Sequence, residues 1–209
     1  MITRRTFTQF ALAGLAAPFV PSALGQRTTS LDRALRTLDQ LHSIQVQLGD
    51  EVIIAEAPKG SGLEELANIK SCSKSVVALL LGTCIARGEI PSVTSRLVDV
   101  SPSIVPPNAT QGVDNVTMED LVTLQAGLQS TSGEQYGAWV ASPNWVADAL
   151  TRPRVTEPGS HMIYSTGTTH VLGAALAEAS GQSLLRLARQ RLGAPMGFEV
   201  PPWVRDPQG

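Results

Sequence analysis

Two stretches of this chain can be stable helices only if other parts of the fold cover them on every side. Residues 76–86, read Val-Val-Ala-Leu-Leu-Leu-Gly-Thr-Cys-Ile-Ala, are apolar all round apart from Gly82 and Thr83. Such a helix belongs at the centre of a domain rather than on its surface. Gly88 marks its end. Residues 168–179 give a second buried helix, closed by Gly181. Whatever else the chain forms must therefore supply apolar faces to lay against these two.

The rest of the pattern is mixed. Leu31, Ala34, Leu35, Leu38 and Leu41 recur at three and four residues, the period of an amphipathic helix over residues 29–42. Ile44, Val46 and Leu48 then alternate up to Gly49-Asp50, and the β-branched run Val52-Ile53-Ile54 resumes after it, which predicts two strands joined by a tight turn. Prolines 91, 102, 106 and 107 make residues 91–115 loop-like. Thr117-Met118-Glu119-Asp120 resembles a capping box with Asp in place of Glu, opening a short helix that ends near Gly127. Residues 139–150 read as a helix interrupted at Pro143, and Ser183 caps an amphipathic helix through Leu192. One hairpin followed by many helices argues α+β architecture rather than alternating βαβ units.

Residues 1–25 read as a separate piece. Arg4 and Arg5 precede a modestly apolar stretch over residues 10–20, too short to span a bilayer, and Ala23-Leu24-Gly25 is a small-residue exit. Thr3-Arg4-Arg5-Thr6-Phe7 resembles the twin-arginine export signal. The expectation is a signal over residues 1–25 handed to the twin-arginine machinery, with a mature product, residues 26–209, in the bacterial periplasm or outside the cell and without a stable membrane anchor. The 16 basic and 18 acidic residues leave a formal charge of −2 with no basic block, so the footprint of a nucleic-acid binder is absent. Cys72 and Cys84, if on one helix, lie roughly 18 Å apart, too far to bridge, and both read as core thiols.

Chemistry concentrates at the start of the central helix. In Ser71-Cys72-Ser73-Lys74 the first serine and the lysine are three residues apart, so a helix places them on one face. A serine hydroxyl needs a base within hydrogen-bond reach, and a lysine serves as one when burial removes the solvation of its charged form. Free N–H groups at a helix start can also stabilise an oxyanion. The same residues suit an ordinary role, in which Ser71 caps the helix and Lys74 is solvated. Ser73 points elsewhere and ranks second as nucleophile. Tyr164, just before the other apolar helix, could relay a proton between Ser71 and a leaving group.

Ser-Cys-Ser-Lys, then Thr-Leu-Gln-Ala-Gly-Leu, then Pro-Gly-Ser-His-Met-Ile-Tyr-Ser-Thr-Gly and a helix ending Ala-Ser-Gly resemble the serine β-lactamase and penicillin-binding-protein superfamily. Order and spacing are most similar to its class C-like branch, which includes esterases and 6-aminohexanoate-dimer hydrolases. The match covers roughly residues 41–198. It implies an antiparallel sheet with a helical subdomain, an acyl-enzyme on Ser71, Lys74 as proton acceptor, Tyr164 as the tyrosine of a Y-x-N element, an amide or ester substrate, and no cofactor or metal. Thr166 stands where that element has asparagine, which weakens the case for β-lactam recognition more than for acyl chemistry. Thr166 and His161 are the candidate substrate-binding residues. No K-T-G-like strand follows Tyr164, so the resemblance implies a truncated domain whose later strands are missing. A truncated, inactive relative that only binds is the alternative to an exported serine hydrolase. His42 and His170 read as packing or helix-end residues, Trp139 and Trp145 as core, and Asp148 and Glu157 as solvated.

Overall fold

The computed structural model describes residues 23–209, in two compact units, residues 23–68 and residues 69–209. The expected signal segment lies outside the described residues except for its last three positions.

The first unit is one helix and one hairpin. Helix α1 (Ala23–Arg36) begins and ends six residues earlier than the leucine spacing predicts. Its end has a local cause: the Thr37 hydroxyl and N–H both bond the Ala34 carbonyl, and Leu38 and Leu41 continue in three-residue turns. His42 thus lies beyond the helix, and its carbonyl accepts from Gly60 N–H. Strands β1 (Ile44–Leu48) and β2 (Glu51–Glu56) pair antiparallel, with Val46 opposite Ile54 and a bulge between Val46 and Gln47. The turn works because Gly49 adopts φ +61°, a conformation that costs glycine nothing.

The second unit is helical. After a 3-10 turn (Lys70–Cys72) comes α2 (Ser73–Ala86), whose Leu80, Leu81 and Cys84 are buried. They join one core with Val171, Leu172, Ala175 and Leu176 of α7 (Thr166–Ser180), Met118 and Leu121 of α4 (Met118–Val122), and Leu187 of α8 (Leu184–Ala188). The expectation that α2 is covered all round is corrected: Leu79 is 58% exposed and Gly82 is open. Its neighbours in this unit, α7 and α8, pack with α2 while the described residues of the unit hold no strand, only isolated bridges Arg96 with Thr117 and Leu128 with Arg154. Cys72 is likewise exposed rather than core, because it belongs to the turn before α2; Cys84 alone is buried.

The remaining elements follow local chemistry. Within the loop-like stretch lie α3 (Leu97–Val100) and two 3-10 turns. The capping box of α4 is complete, Thr117 Oγ1 accepting from Asp120 N–H and Asp120 Oδ2 from Thr117 N–H. That helix stops at Val122, well before Gly127, as Leu124 turns the chain with φ +61°. Pro143 separates α5 (Tyr136–Val140) from α6 (Trp145–Leu150), which Asn144 caps. Ser183 caps α8, but the expected helix to Leu192 gives way to a π turn (Arg189–Gly193) and then α9 (Ala194–Met196). The π turn carries Arg191, whose guanidinium forks onto Glu89 at 2.6 and 2.7 Å.

Candidate active site

The turn before α2, the first turn of α2 and the segment leading into α7 bring three sequence-predicted residues together. The Tyr164 hydroxyl donates to Ser71 Oγ at 2.6 Å, and Lys74 Nζ donates to the same oxygen at 3.4 Å. The Lys74 ammonium also stands 5.0 Å from the centroid of the Tyr164 ring, close enough for a cation–π attraction. One serine oxygen therefore faces both a phenol and an amine. The alternative in which Ser71 merely caps α2 is overturned, since Cys72 is the capping position and no side chain caps there. Ser73, the second-ranked nucleophile, is turned back onto the Lys70 carbonyl at 2.7 Å.

The backbone at this point is held in an uncommon shape. Lys70 has φ +47°, outside the usual range for a residue with a Cβ, immediately before Ser71. Such conformations persist only when the surroundings hold them, and they gather at functional sites. The Tyr164 hydroxyl is held below its ordinary pKa, chiefly by the hydrogen bond with Ser71, against an upward push from burial, with Lys74 adding to the lowering. Lys74 is half-buried, not enclosed as the apolar run after it suggested: Leu80 and Leu81 of that run enter the core, whereas Leu79 stands in solvent.

The other two predicted residues hydrogen-bond elsewhere than to Ser71. Thr166, the first residue of α7, has its hydroxyl 3.0 Å from Ser132 Oγ. His161 is exposed and its Nδ1 lies 3.3 Å from Ser160 Oγ. Ser130, Thr131 and Ser132 were passed over in the sequence, although three successive hydroxyls shortly after the Thr-Leu-Gln-Ala-Gly-Leu block were the available signal; their side chains hold the segment that carries Tyr164. The block itself pins the preceding loop: Leu124 O accepts from Ile163 N–H, Gln125 O from Gly159 N–H, and Gly127 O from Val155 N–H. Gly127 is required there, since φ is +76° and a Cβ would meet the Thr156 carbonyl at 2.5 Å.

The remaining singled-out groups serve packing. His170 stacks edge-on against Trp139, and its Nε2 lies 2.7 Å from Asp206 Oδ2. Trp139 and Trp145 donate to the carbonyls of Trp145 and Val140. Asp148, expected in solvent, pairs with Arg152 at 2.8 Å, while Glu157 pairs with Arg154 from an exposed position. Among the described residues no three His, Cys, Asp or Glu gather where a metal ion could be held.

A hydroxyl met by a phenol and an amine on a helical lobe is the kind of arrangement that activates a serine for acyl transfer. The Beta-lactamase family profile matches residues 49–208, and the chain belongs to that family. The architecture is similar to solved structures of the D-stereospecific amidohydrolase of a Streptomyces species (18% identity, 81% of this chain and 54% of that one, TM-score 0.65), of the D-alanine carboxypeptidase AmpC of Burkholderia cenocepacia (20%, 83% and 48%, 0.61), and of EstCE1, a hydrolase with promiscuous acyltransferase activity (20%, 84% and 52%, 0.63). The chain spans about half the length of these structures. No curated protein matches the sequence.

Proposed function

We propose that this chain carries the acylating centre of a serine hydrolase that cleaves an amide or ester, with Ser71 as nucleophile and Tyr164 and Lys74 as the proton-transfer pair. The observation that carries this is the convergence of the phenol, at 2.6 Å, and the amine, at 3.4 Å, on Ser71 Oγ. In the reactive form Tyr164 is the phenolate, stabilised by Ser71 and by the Lys74 ammonium; Ser71 Oγ attacks the substrate carbonyl carbon as its proton passes to the phenolate oxygen. Collapse of the tetrahedral adduct breaks the bond to the alcohol or amine, which leaves with that proton. Water then attacks the acyl-enzyme, releases the acid and restores Ser71. The lowering of the phenol by Ser71 and Lys74 favours its ionised form, the one that can take the proton and return it. His161 and Thr166 flank Tyr164 in the chain and are assigned to the substrate side; Thr166 in place of an asparagine amide favours esters and linear amides over β-lactams.

A fluorophosphonate probe tests the assignment. Ser71 is expected to be labelled, identified by peptide mass spectrometry, and Ser71→Ala to abolish labelling. Lys74→Ala is expected to slow it by about 10²-fold or more; labelling of that variant at the parent rate would refute the role of Lys74. The half-length match supports a second reading, in which this piece presents the three groups without turnover. Labelling of Ser71 with no release of product from any ester would select it. We further propose export through the twin-arginine pathway into the periplasm or medium, tested by fractionating cells with and without that pathway.

A further inference from the structure

Three consecutive residues, Ser130, Thr131 and Ser132, are committed to four consecutive residues, 164–167, more than thirty positions away. Ser130 Oγ donates to the Tyr164 carbonyl at 2.6 Å. Thr131 N–H donates to Ser165 Oγ at 3.2 Å, and Thr131 Oγ1 accepts from Gly167 N–H at 2.7 Å. Ser132 Oγ accepts from Thr166 N–H at 2.9 Å and lies 3.0 Å from Thr166 Oγ1. The triplet is itself tied together, as Ser132 N–H donates to Ser130 Oγ at 2.9 Å. Thr131 and Ser165 are 1% and 2% exposed, so the middle of this seam is shut off from water that could replace its bonds. A Cβ on Gly167 would come within 2.8 Å of Thr131 Cγ2, so the backbone of α7 sits hard against the seam.

Tyr164 is 45% exposed, and its ring meets Ser71 and Lys74 in open surroundings. Packing does not aim such a ring. Its direction must come from the main chain, which is gripped on one side through Ile163 N–H to Leu124 O and on the other by the triplet. Resting on the function proposed above, we infer that Ser130, Thr131 and Ser132 are positioning residues that set the reach of the Tyr164 hydroxyl to Ser71. A hydrogen bond of 2.6 Å leaves little room for a displaced anchor, and misplacement of about 1 Å at a reacting group costs on the order of 10²-fold in rate.

The chain has two tyrosines, so Tyr136→Phe leaves Tyr164 as its single phenol for ultraviolet titration. In that background Ser130→Ala, at a half-buried position outside the core, is expected to raise the phenol midpoint toward the ordinary tyrosine value and to slow fluorophosphonate labelling of Ser71 about tenfold to hundredfold, with the melting temperature little changed. Ser130→Thr, which keeps a hydroxyl, is expected to retain both parent values. Thr131→Val is expected to move the midpoint in the same direction; if it fails to fold, the two Ser130 variants decide. A midpoint that stays at the parent value in Ser130→Ala, whatever happens to labelling or melting, overturns the inference. Labelling at the parent rate in Tyr164→Phe would instead overturn the role of Tyr164 in catalysis, while the titration still reports on the triplet.

Discussion

In residues 69–209 Leu80, Ile90, Leu97, Met118, Leu172 and Leu176 are sealed from solvent, whereas in residues 23–68 Leu38, Leu48, Val52, Ile53, Leu63 and Leu66 stand in it. Both regions are rich in large apolar residues, so the contrast does not come from composition. It comes from how many layers each region holds. A helix such as α2 or α7 finds a covering neighbour among other helices, each able to offer a stripe. The ribbon has two faces and a single helix with it in the unit, and among the residues whose burial is described there only Leu35 ends up buried. Strand pairing is decided by the turn and the alternation, both local; burial is cooperative and needs a further layer.

The largest expected effect lies in the sealed core. Leu172→Ala should cost about 2 to 5 kcal/mol in urea unfolding, the range for removing a fully enclosed leucine that its neighbours only partly refill. A cost under 1 kcal/mol would mean that the α2–α7 interface is loose, and the contrast between the units would dissolve. Next is Glu89→Gln, which strips the forked partner from Arg191, a guanidinium only 4% exposed. The expected loss is about 1 to 3 kcal/mol at neutral pH. The Arg191 hydrogen bonds hold the Glu89 carboxyl below its ordinary pKa. The native state therefore favours the ionised form, so this stabilisation is full above the ordinary carboxylate range and fades as pH falls through the lowered folded value. Parent and variant should converge in acid; a gap that widens there would reverse the assignment. Smaller again is Thr117→Ala, which removes the α4 cap and should cost about 1 kcal/mol by thermal melting.

Some of this was legible and some was not, for reasons that differ by residue. Ser71 and Lys74 could be paired because one helical turn is a short-range rule, and the capping box at Thr117 and the break at Pro143 are local for the same cause. The Tyr164 contact spans 93 residues, beyond any local rule; the phenol's place before an apolar helix made it a candidate, and resemblance to a family gave it a role. The hydroxyls of Ser130, Thr131 and Ser132 carried no period and no charge, and their partners lie 34 to 36 residues on. The open side of α2 was illegible because an all-round apolar sequence states what a helix needs, not how many neighbours it obtains. The early end of α1 turned on one hydroxyl, Thr37, where leucine spacing promised continuation.

The smallest expected effect is the most pointed test of the contrast. Ile53 lies in β2 and is 46% exposed, so Ile53→Thr exchanges one β-branched residue for another at a wet position. Little apolar surface leaves or enters water, and the stability change should stay within about 0.5 kcal/mol. Hydrogen exchange gives the companion measurement. The amides of β1 and β2 should exchange through local opening far more cheaply than those around Leu172 in α7, because few buried contacts break when the ribbon frays. If the hairpin amides are instead protected as well as those of α7, or if Ile53→Thr costs more than about 1 kcal/mol, the first unit is covered in solution and the difference between the two regions is one of neighbours gained. Protection that stays low while Leu172→Ala remains costly would leave the contrast where the burial places it, between a ribbon held by its own hydrogen bonds and a helical lobe held by its core.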